Sequence, residues 1–171
     1  MFFGALYFII KTGYILNGLA SYIANILQEG LPMVQLIVGK KGKGKTKHLL
    51  DKVNSEVQSV SGNVVYLDKS TKHMYELNNK IRLIDVSSYM ISNSDEFVGF
   101  ISGIISQDHD LQQMYFDSFL KIACAEEQDI DPIINKLETI SQKFGVDFVL
   151  SVSRDEAELP ASYKEKIIVS L

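Results

Sequence analysis

Short apolar runs alternate with amphipathic stretches along the second part of the chain. Val34–Val38 is mainly apolar and is followed at once by a glycine-rich turn, a pattern typical of a buried parallel strand. Between Lys45 and Val57, apolar residues recur at the spacing of one helix face, namely at Leu49, Leu50, Val53 and Val57. The sequence therefore predicts a strand, a tight turn and a helix in direct succession.

The same alternation continues to the last residue given. Apolar runs predict further strands at 64–67, 81–84, 114–116, 146–152 and 167–169. Helices are predicted over 95–105, with Asn93 or Ser94 as the N-cap, and from Asp131-Pro132 to near Gly145. Strands that alternate with helices predict an α/β fold, in which a mostly parallel central sheet lies between two helical layers.

The turn after the first strand carries a phosphate-binding motif. The pattern G-x-x-x-x-G-K-[ST], known as Walker A, is matched in full by Gly39-Lys40-Lys41-Gly42-Lys43-Gly44-Lys45-Thr46. Glycines allow the backbone N–H groups to surround phosphate oxygens, and the following helix adds its positive N-terminal dipole. Lys45 is expected to neutralise the β and γ phosphates, and the Thr46 hydroxyl is expected to ligate magnesium.

On this motif the chain resembles the P-loop NTPase superfamily. The resemblance implies a three-layer fold and magnesium-dependent binding of a nucleotide, with ATP and Mg²⁺ as the expected cofactors. Within the superfamily, the chain looks most like small bacterial P-loop proteins that are loosely labelled twitching-motility or ATP-binding proteins. GTP recognition normally uses an N-K-x-D loop, whereas Asn135-Lys136-Leu137-Glu138 ends in glutamate and lies within a predicted helix.

Four additional lysines, Lys40, Lys41, Lys43 and Lys47, make the loop unusually basic. They are candidates for contact with the nucleotide or with a second anion, and plain solvation is the alternative. Lys40 stands five residues before Lys45, where a group of dimerising P-loop ATPases places a lysine that acts on the partner's nucleotide. That group has glycines at the next two positions, and Lys41 departs from the pattern.

A magnesium site needs a carboxylate at the end of a neighbouring strand, and three aspartates qualify: Asp68, Asp85 and Asp117. Asp68 ends the first strand after the loop, which often lies at the edge of the sheet. Asp117 is followed by a strongly apolar strand that carries Ser151 and Ser153 near its end. This order resembles the additional-strand class of P-loop proteins, which favours Asp117 as metal ligand and Ser151 or Ser153 as γ-phosphate sensor.

Hydrolytic members of that class usually have glutamate directly after this aspartate, whereas here the next residue is Ser118. Three glutamates could replace it only if the fold brings them near: Glu76, Glu126 and Glu127. Arg154 is a candidate arginine finger between subunits. The expected function is thus ATP binding with slow hydrolysis. The alternatives are a non-hydrolysing regulatory or scaffold protein and a small phosphotransferase.

Composition narrows the choice of partner. A net charge of -4 over 171 residues argues against a general nucleic-acid binder. The single cysteine, Cys124, excludes an internal disulfide and fits a reducing compartment, so a cytoplasmic protein is expected. His48 and His73 have no Cys or His companion at ligand spacing, so neither is predicted to bind a metal. A homo-oligomer or an unidentified protein partner fits the nucleotide-dependent functions.

Residues 1–32 form an apolar leader that differs from the predicted nucleotide-binding domain at 33–171. A secretory signal would need an early basic residue, but Lys11 comes too late. A membrane anchor is an alternative, although Lys11, Asn17 and Asn25 interrupt the apolar run. The favoured interpretation is that the natural chain begins at Met33, directly before the first strand. Membrane contact is expected only if the leader is expressed.

Overall fold

The computed structural model describes residues 34–171, so the leader and the start at Met33 lie outside the described residues and stay predictions. The strands are β1 (Val34–Val38), β2 (Asn63–Asp68), β3 (Ile81–Asp85), β4 (Leu111–Phe116), β5 (Asp147–Val152) and β6 (Ile167–Ser170). The α-helices are α1 (Lys45–Glu56), α2 (Ser94–Gln107), α3 (Phe119–Ile122) and α4 (Asp131–Phe144). None of these helices is long and apolar enough to cross a bilayer.

These bounds confirm the predicted strands and the three longer helices to within a few residues. Strand β4 begins three residues before its predicted start, because Leu111 opens it ahead of two glutamines. Helix α4 has Pro132 in its first turn and ends at Gly145, whose φ of 67° closes the helix in the left-handed conformation. The four-residue helix α3 was not predicted, since so short a run of Phe119–Ile122 also fits a strand.

The six strands form one sheet in the order β3-β2-β4-β5-β1-β6. Every strand pair is parallel, so the sheet is entirely rather than mostly parallel. Strand β5 lies between β1 and β4, which puts one strand between the glycine-rich loop and Asp117. Strand β2 is an interior strand, and the expectation that it lies at the sheet edge is wrong, because β3 covers that side.

Each face of the sheet has its own apolar core. Helix α1 packs on one face against strand residues such as Ile37, Tyr66, Tyr115 and Val149. Helices α2 and α4 pack on the other face in a larger cluster, so the domain has three layers. Side chains alternate along a strand, and therefore residues two positions after Tyr66, Tyr115 and Val149 share the α1 face. Those residues are Asp68, Asp117 and Ser151.

The cap of α2 gives a test of the fold. The Asn93 side chain accepts a hydrogen bond from the Glu96 amide at 2.9 Å, which satisfies a donor in the first helical turn. We expect Asn93→Ala to lower the free energy of unfolding by about 1 kcal/mol. Asn93→Asp keeps the acceptor and should stay near wild type in chemical denaturation. An equal loss of unfolding free energy in both variants would contradict a capping role of the Asn93 side chain.

Candidate functional site

The loop between β1 and α1 is built around three glycines. Gly39, Gly42 and Gly44 have φ angles of 143°, 90° and 89°, a region that side-chain-bearing residues rarely adopt. A Cβ atom on Gly39 would also lie 2.8 Å from the carbonyl oxygen of Leu171. The loop conformation therefore depends on glycine at these positions, and it turns the chain sharply from the carboxyl end of β1 into α1.

This turn presents a group of free amide donors. Within residues 34–171, the backbone N–H groups of Gly42, Gly44, Lys45 and Thr46 donate no hydrogen bond to protein. Gly44 is the N-cap of α1 and offers no side chain to satisfy the first helical turn. Unsatisfied amides and the positive end of a helix dipole together form a site suited to an anion such as phosphate.

Lys45 lies across the loop and is 6% exposed. Its Nζ atom donates hydrogen bonds to the carbonyl oxygens of Gly39 at 2.6 Å and Lys40 at 2.9 Å. Burial lowers the pKa of Lys45, while the carboxylates of Asp117 and Asp155 oppose that shift. The ammonium group is thus positioned by the backbone that surrounds the anion site.

Thr46 and Asp117 connect the loop to the neighbouring part of the sheet. The Thr46 hydroxyl lies 3.1 Å from Oδ1 and 3.0 Å from Oδ2 of Asp117, 71 residues away in sequence. Asp117 is only 3% exposed, and its Oδ1 also accepts the Ser118 amide at 2.8 Å. The structure therefore places the predicted hydroxyl and the predicted carboxylate side by side, next to Lys45.

Asp68 lies beside Asp117 as a second carboxylate. Asp68, His73 and Asp117 each offer one ligand atom, and these atoms lie within 4.8 Å of one another. The sequence analysis treated Asp68 and Asp117 as alternative carboxylates for the magnesium site. In the structure they are neighbours, because β2 is an interior strand that pairs with β4. Asp85, the third candidate, accepts hydrogen bonds from the Ser87 amide and hydroxyl, and so serves the turn after β3.

The two candidate sensor serines occupy different positions. Ser151 is 2% exposed and lies within the sheet, in register with Ile37 of β1. Ser153 is exposed and follows the end of β5. It lines a cleft of about 310 Å³ together with Lys41, Lys69, Ser118, Leu120, Lys121 and Glu126. Ser153 is therefore the serine that faces open space beside the loop.

The remaining basic candidates contact their own chain or solvent. The Lys40 ammonium forms an ion pair with Asp155 at 2.9 Å, so its observed partner is a carboxylate of the same chain. Arg154 donates from Nη2 to the carbonyl oxygen of Gln128 at 2.6 Å, and its own carbonyl accepts the Gly39 amide. Lys43 and Lys47 are exposed at the loop. Arg154 thus holds the start of the loop through its backbone carbonyl, and its guanidinium group is bonded to its own chain.

The glutamates named as substitutes have separate surroundings. Glu76 Oε1 lies 2.7 Å from Nδ1 of His73, while Glu126 lines the lysine-containing cleft and Glu127 is exposed. Sequence reasoning missed Lys69, Lys121 and His73 as candidate site residues. The available signal was that Lys69 directly follows Asp68, and that His73 and Lys121 lie in the segments that follow Asp68 and Asp117. His73 was set aside because its companions come from β2 and β4 rather than from a local motif.

The buried pair of carboxylates gives a pH-dependent prediction. Burial, and then the charge of Asp117, raise the pKa of Asp68 above its ordinary value of 3.8. A raised folded-state pKa contributes stability that is present in acid and lost as pH rises through that pKa. We therefore expect Asp68→Asn to raise Tm by roughly 2–4 °C at pH 7.5, or about 1 kcal/mol.

That gain should shrink as the pH falls from 7.5 into the acid range, through the raised pKa of Asp68. Thermal melts across this range, with EDTA present, measure the difference between wild type and variant. A constant difference at all pH values, or a loss of stability at pH 7.5, would contradict the assigned ionisation of Asp68.

Comparison with known proteins supports the fold. No protein-family profile and no curated protein matches the chain. Among solved structures, a KaiC-like protein from the hyperthermophilic archaeon Pyrococcus horikoshii aligns with a TM-score of 0.54 and 21% identity. The alignment covers 76% of this chain and 65% of that protein. The described chain has a three-layer α/β fold like that of this archaeal protein. This likeness shows the fold alone, and the site residues stand on their own geometry.

Proposed function

We propose that the chain binds magnesium-ATP at the loop 39–46 and hydrolyses it slowly. The observation that carries the proposal is the contact of the Thr46 hydroxyl with Asp117, at 3.0 Å, beside the buried ammonium of Lys45. Magnesium-triphosphate sites combine these three groups with free loop amides. The lysine and the hydroxyl come from α1 and the carboxylate comes from the end of β4, yet all three lie at one anion site. A shared function accounts for this arrangement better than chance does.

Each group has a distinct part in the proposed complex. The loop amides and the α1 dipole hold the phosphates. Lys45 would neutralise phosphate charge, while Thr46 and Asp117 would hold Mg²⁺, directly or through a bound water. An Mg²⁺ ion held there would supply positive charge to offset that of the triphosphate. Adenine is favoured over guanine because Asn135-Lys136-Leu137-Glu138 lies within α4 and cannot form a guanine-binding loop there.

The proposed hydrolysis is slow because no glutamate follows Asp117. Ser118 occupies that position, with a left-handed φ of 52°, and its amide is bound to the Asp117 carboxylate. Glu76 has its carboxylate against His73 and is 59% exposed. Within residues 34–171, no glutamate forms a hydrogen bond with Thr46 or Asp117. The described residues thus provide no glutamate bonded to this pair that could polarise the attacking water.

Phosphate release from magnesium-ATP by the full chain tests turnover. We expect slow release that requires Mg²⁺, falls to background in Thr46→Ala, and is unchanged in Thr139→Ala on the exposed side of α4. Binding without any release would favour the regulatory or scaffold alternative. Release that Thr46→Ala leaves intact would reject the site.

A phosphotransferase is the second candidate, and the cleft beside the loop favours it. Lys41, Lys69 and Lys121 line this cleft, and none of them forms an ion pair with a described residue. Three unpaired ammonium groups suit an anionic second substrate.

Inorganic phosphate is a simple probe of the cleft. Its ³¹P resonance should shift with the ADP-loaded protein and shift less with Lys121→Ala, whereas equal shifts would leave the cleft without this role.

A further inference from the structure

Two buried carboxylates lie close together in the described part of the chain. Asp68 is 1% exposed and Asp117 is 3% exposed. No lysine or arginine within residues 34–171 forms an ion pair with either of them. Burying like charges is strongly unfavourable unless a proton or a cation neutralises them. A cation is therefore the kind of ligand that this arrangement favours.

His73 completes the cluster and has the partner that a metal-bound histidine usually has. Its Nδ1 lies 2.7 Å from Oε1 of Glu76, three residues further along the chain. A carboxylate on one ring nitrogen fixes the tautomer, so that the other nitrogen, Nε2, carries a lone pair for a metal. The His73 side chain is only 18% exposed, which restricts its orientation.

Each member of the cluster retains an atom that can become a ligand. Oδ1 of Asp68 accepts the Lys69 amide at 2.6 Å, whereas Oδ2 has no hydrogen-bond partner among the described residues. Within residues 34–171, Oδ2 of Asp117 has the Thr46 hydroxyl as its one hydrogen-bond partner. A lone pair for a metal therefore remains on Oδ2 of each carboxylate.

A second observation comes from Tyr66, which is fully buried and whose hydroxyl has no hydrogen-bond partner among residues 34–171. Tyr66 precedes Asp68 by two residues and shares its face of β2. In the register of β2 with β4, Tyr66 lies opposite Tyr115, which precedes Asp117 by two residues. An orphaned buried hydroxyl in this position can donate to a metal-bound water.

We propose that Asp68, His73 and Asp117 bind a divalent transition-metal cation, with Mn²⁺ as the representative ion, and that Glu76 orients His73. Two carboxylate oxygens and one imidazole nitrogen suit Mn²⁺ or Zn²⁺ better than Mg²⁺ or Ca²⁺, which prefer oxygen alone. Ligand atoms on opposite sides of such an ion are ~4.2 Å apart, so atoms within 4.8 Å need only a small approach. The site shares Asp117 with the proposed magnesium site but requires no nucleotide.

Electron paramagnetic resonance of Mn²⁺ added to the full chain, without nucleotide, tests the site. We expect one bound Mn²⁺ with a ¹⁴N coupling from imidazole. His73→Ala should remove the ¹⁴N coupling and weaken Mn²⁺ binding at least about tenfold, and Glu76→Gln should weaken it about tenfold. His109→Ala is the matched control, because His109 lies in the exposed loop before β4. If His73 had only a structural role, the bound Mn²⁺ would show no ¹⁴N coupling that depends on His73.

Two further variants separate this inference from the proposed function. Lys45→Ala should retain Mn²⁺ binding while it loses ATP, and His73→Ala should retain magnesium-ATP binding. Absence of bound Mn²⁺, or bound Mn²⁺ whose coupling and affinity are the same in His73→Ala, would overturn the inference and leave the nucleotide site untouched. A wild-type chain that binds Mn²⁺ through His73 but does not bind ATP would support this inference and overturn the proposed function.

Discussion

Lys45→Ala is expected to weaken magnesium-ATP binding at least about 100-fold. Hydrogen bonds that involve a charged group contribute roughly 1.5–3 kcal/mol each, and Lys45 can make two to the phosphates. The loss of about 3 kcal/mol corresponds to about two orders of magnitude in Kd. Nζ of Lys45 also donates hydrogen bonds to the carbonyl oxygens of Gly39 and Lys40, so the same side chain helps to hold the loop in its observed conformation.

Displacement of a fluorescent ATP analogue measures this effect directly. Lys80→Ala removes the same charge at an exposed turn before β3, on the opposite edge of the sheet, and should bind like wild type. Thermal melts of both variants check that they fold. Affinity within threefold of wild type in a folded Lys45→Ala protein would contradict the role of the loop lysine.

Asp117→Asn is expected to remove the magnesium dependence of nucleotide binding. The amide keeps the size of the side chain and can still accept the Ser118 amide, but it loses the negative charge that holds the ion. We expect the affinity for magnesium-ATP to fall about 10–100-fold, whereas affinity for ATP with EDTA should stay near its wild-type value. The ratio of the two affinities isolates the metal contribution.

The same substitution should leave the nucleotide-free protein at least as stable as wild type, because it relieves the repulsion from Asp68. Asp110→Asn is the matched control, since it removes an exposed carboxylate at the other end of β4. Calorimetry with and without Mg²⁺ gives the affinities for both variants. Full magnesium dependence in Asp117→Asn would assign the ion to another carboxylate.

Local patterns in the sequence were sufficient to predict most of the fold. Runs such as Val34–Val38 and the helical spacing from Lys45 reflect burial on a sheet or on one helix face, and both are set by neighbours in sequence. The loop conformation also follows locally, because glycines at 39, 42 and 44 permit the positive φ angles that are observed. The three-layer architecture then follows from the alternation of elements.

The partners of the loop depended on strand order, which local patterns do not specify. Asp117 was predicted from the order of elements, but its neighbour Asp68 was treated as a competitor because β2 was expected at the edge. The pairing of β2 with both β3 and β4 places the two aspartates together. His73 was missed for the same reason, since its contacts join residues from three segments. The structure therefore adds the information that residues far apart in sequence, such as Asp68 and Asp117, lie next to each other.

The central claim is that this chain binds a nucleoside triphosphate through the loop 39–46. Calorimetric titration of the full chain with magnesium-ATP, and separately with magnesium-GTP, tests it most directly. The account predicts saturable binding of one ATP per chain, weaker binding of GTP, and no measurable heat with Lys45→Ala. Absence of saturable binding of either nucleotide to the folded chain would contradict the claim.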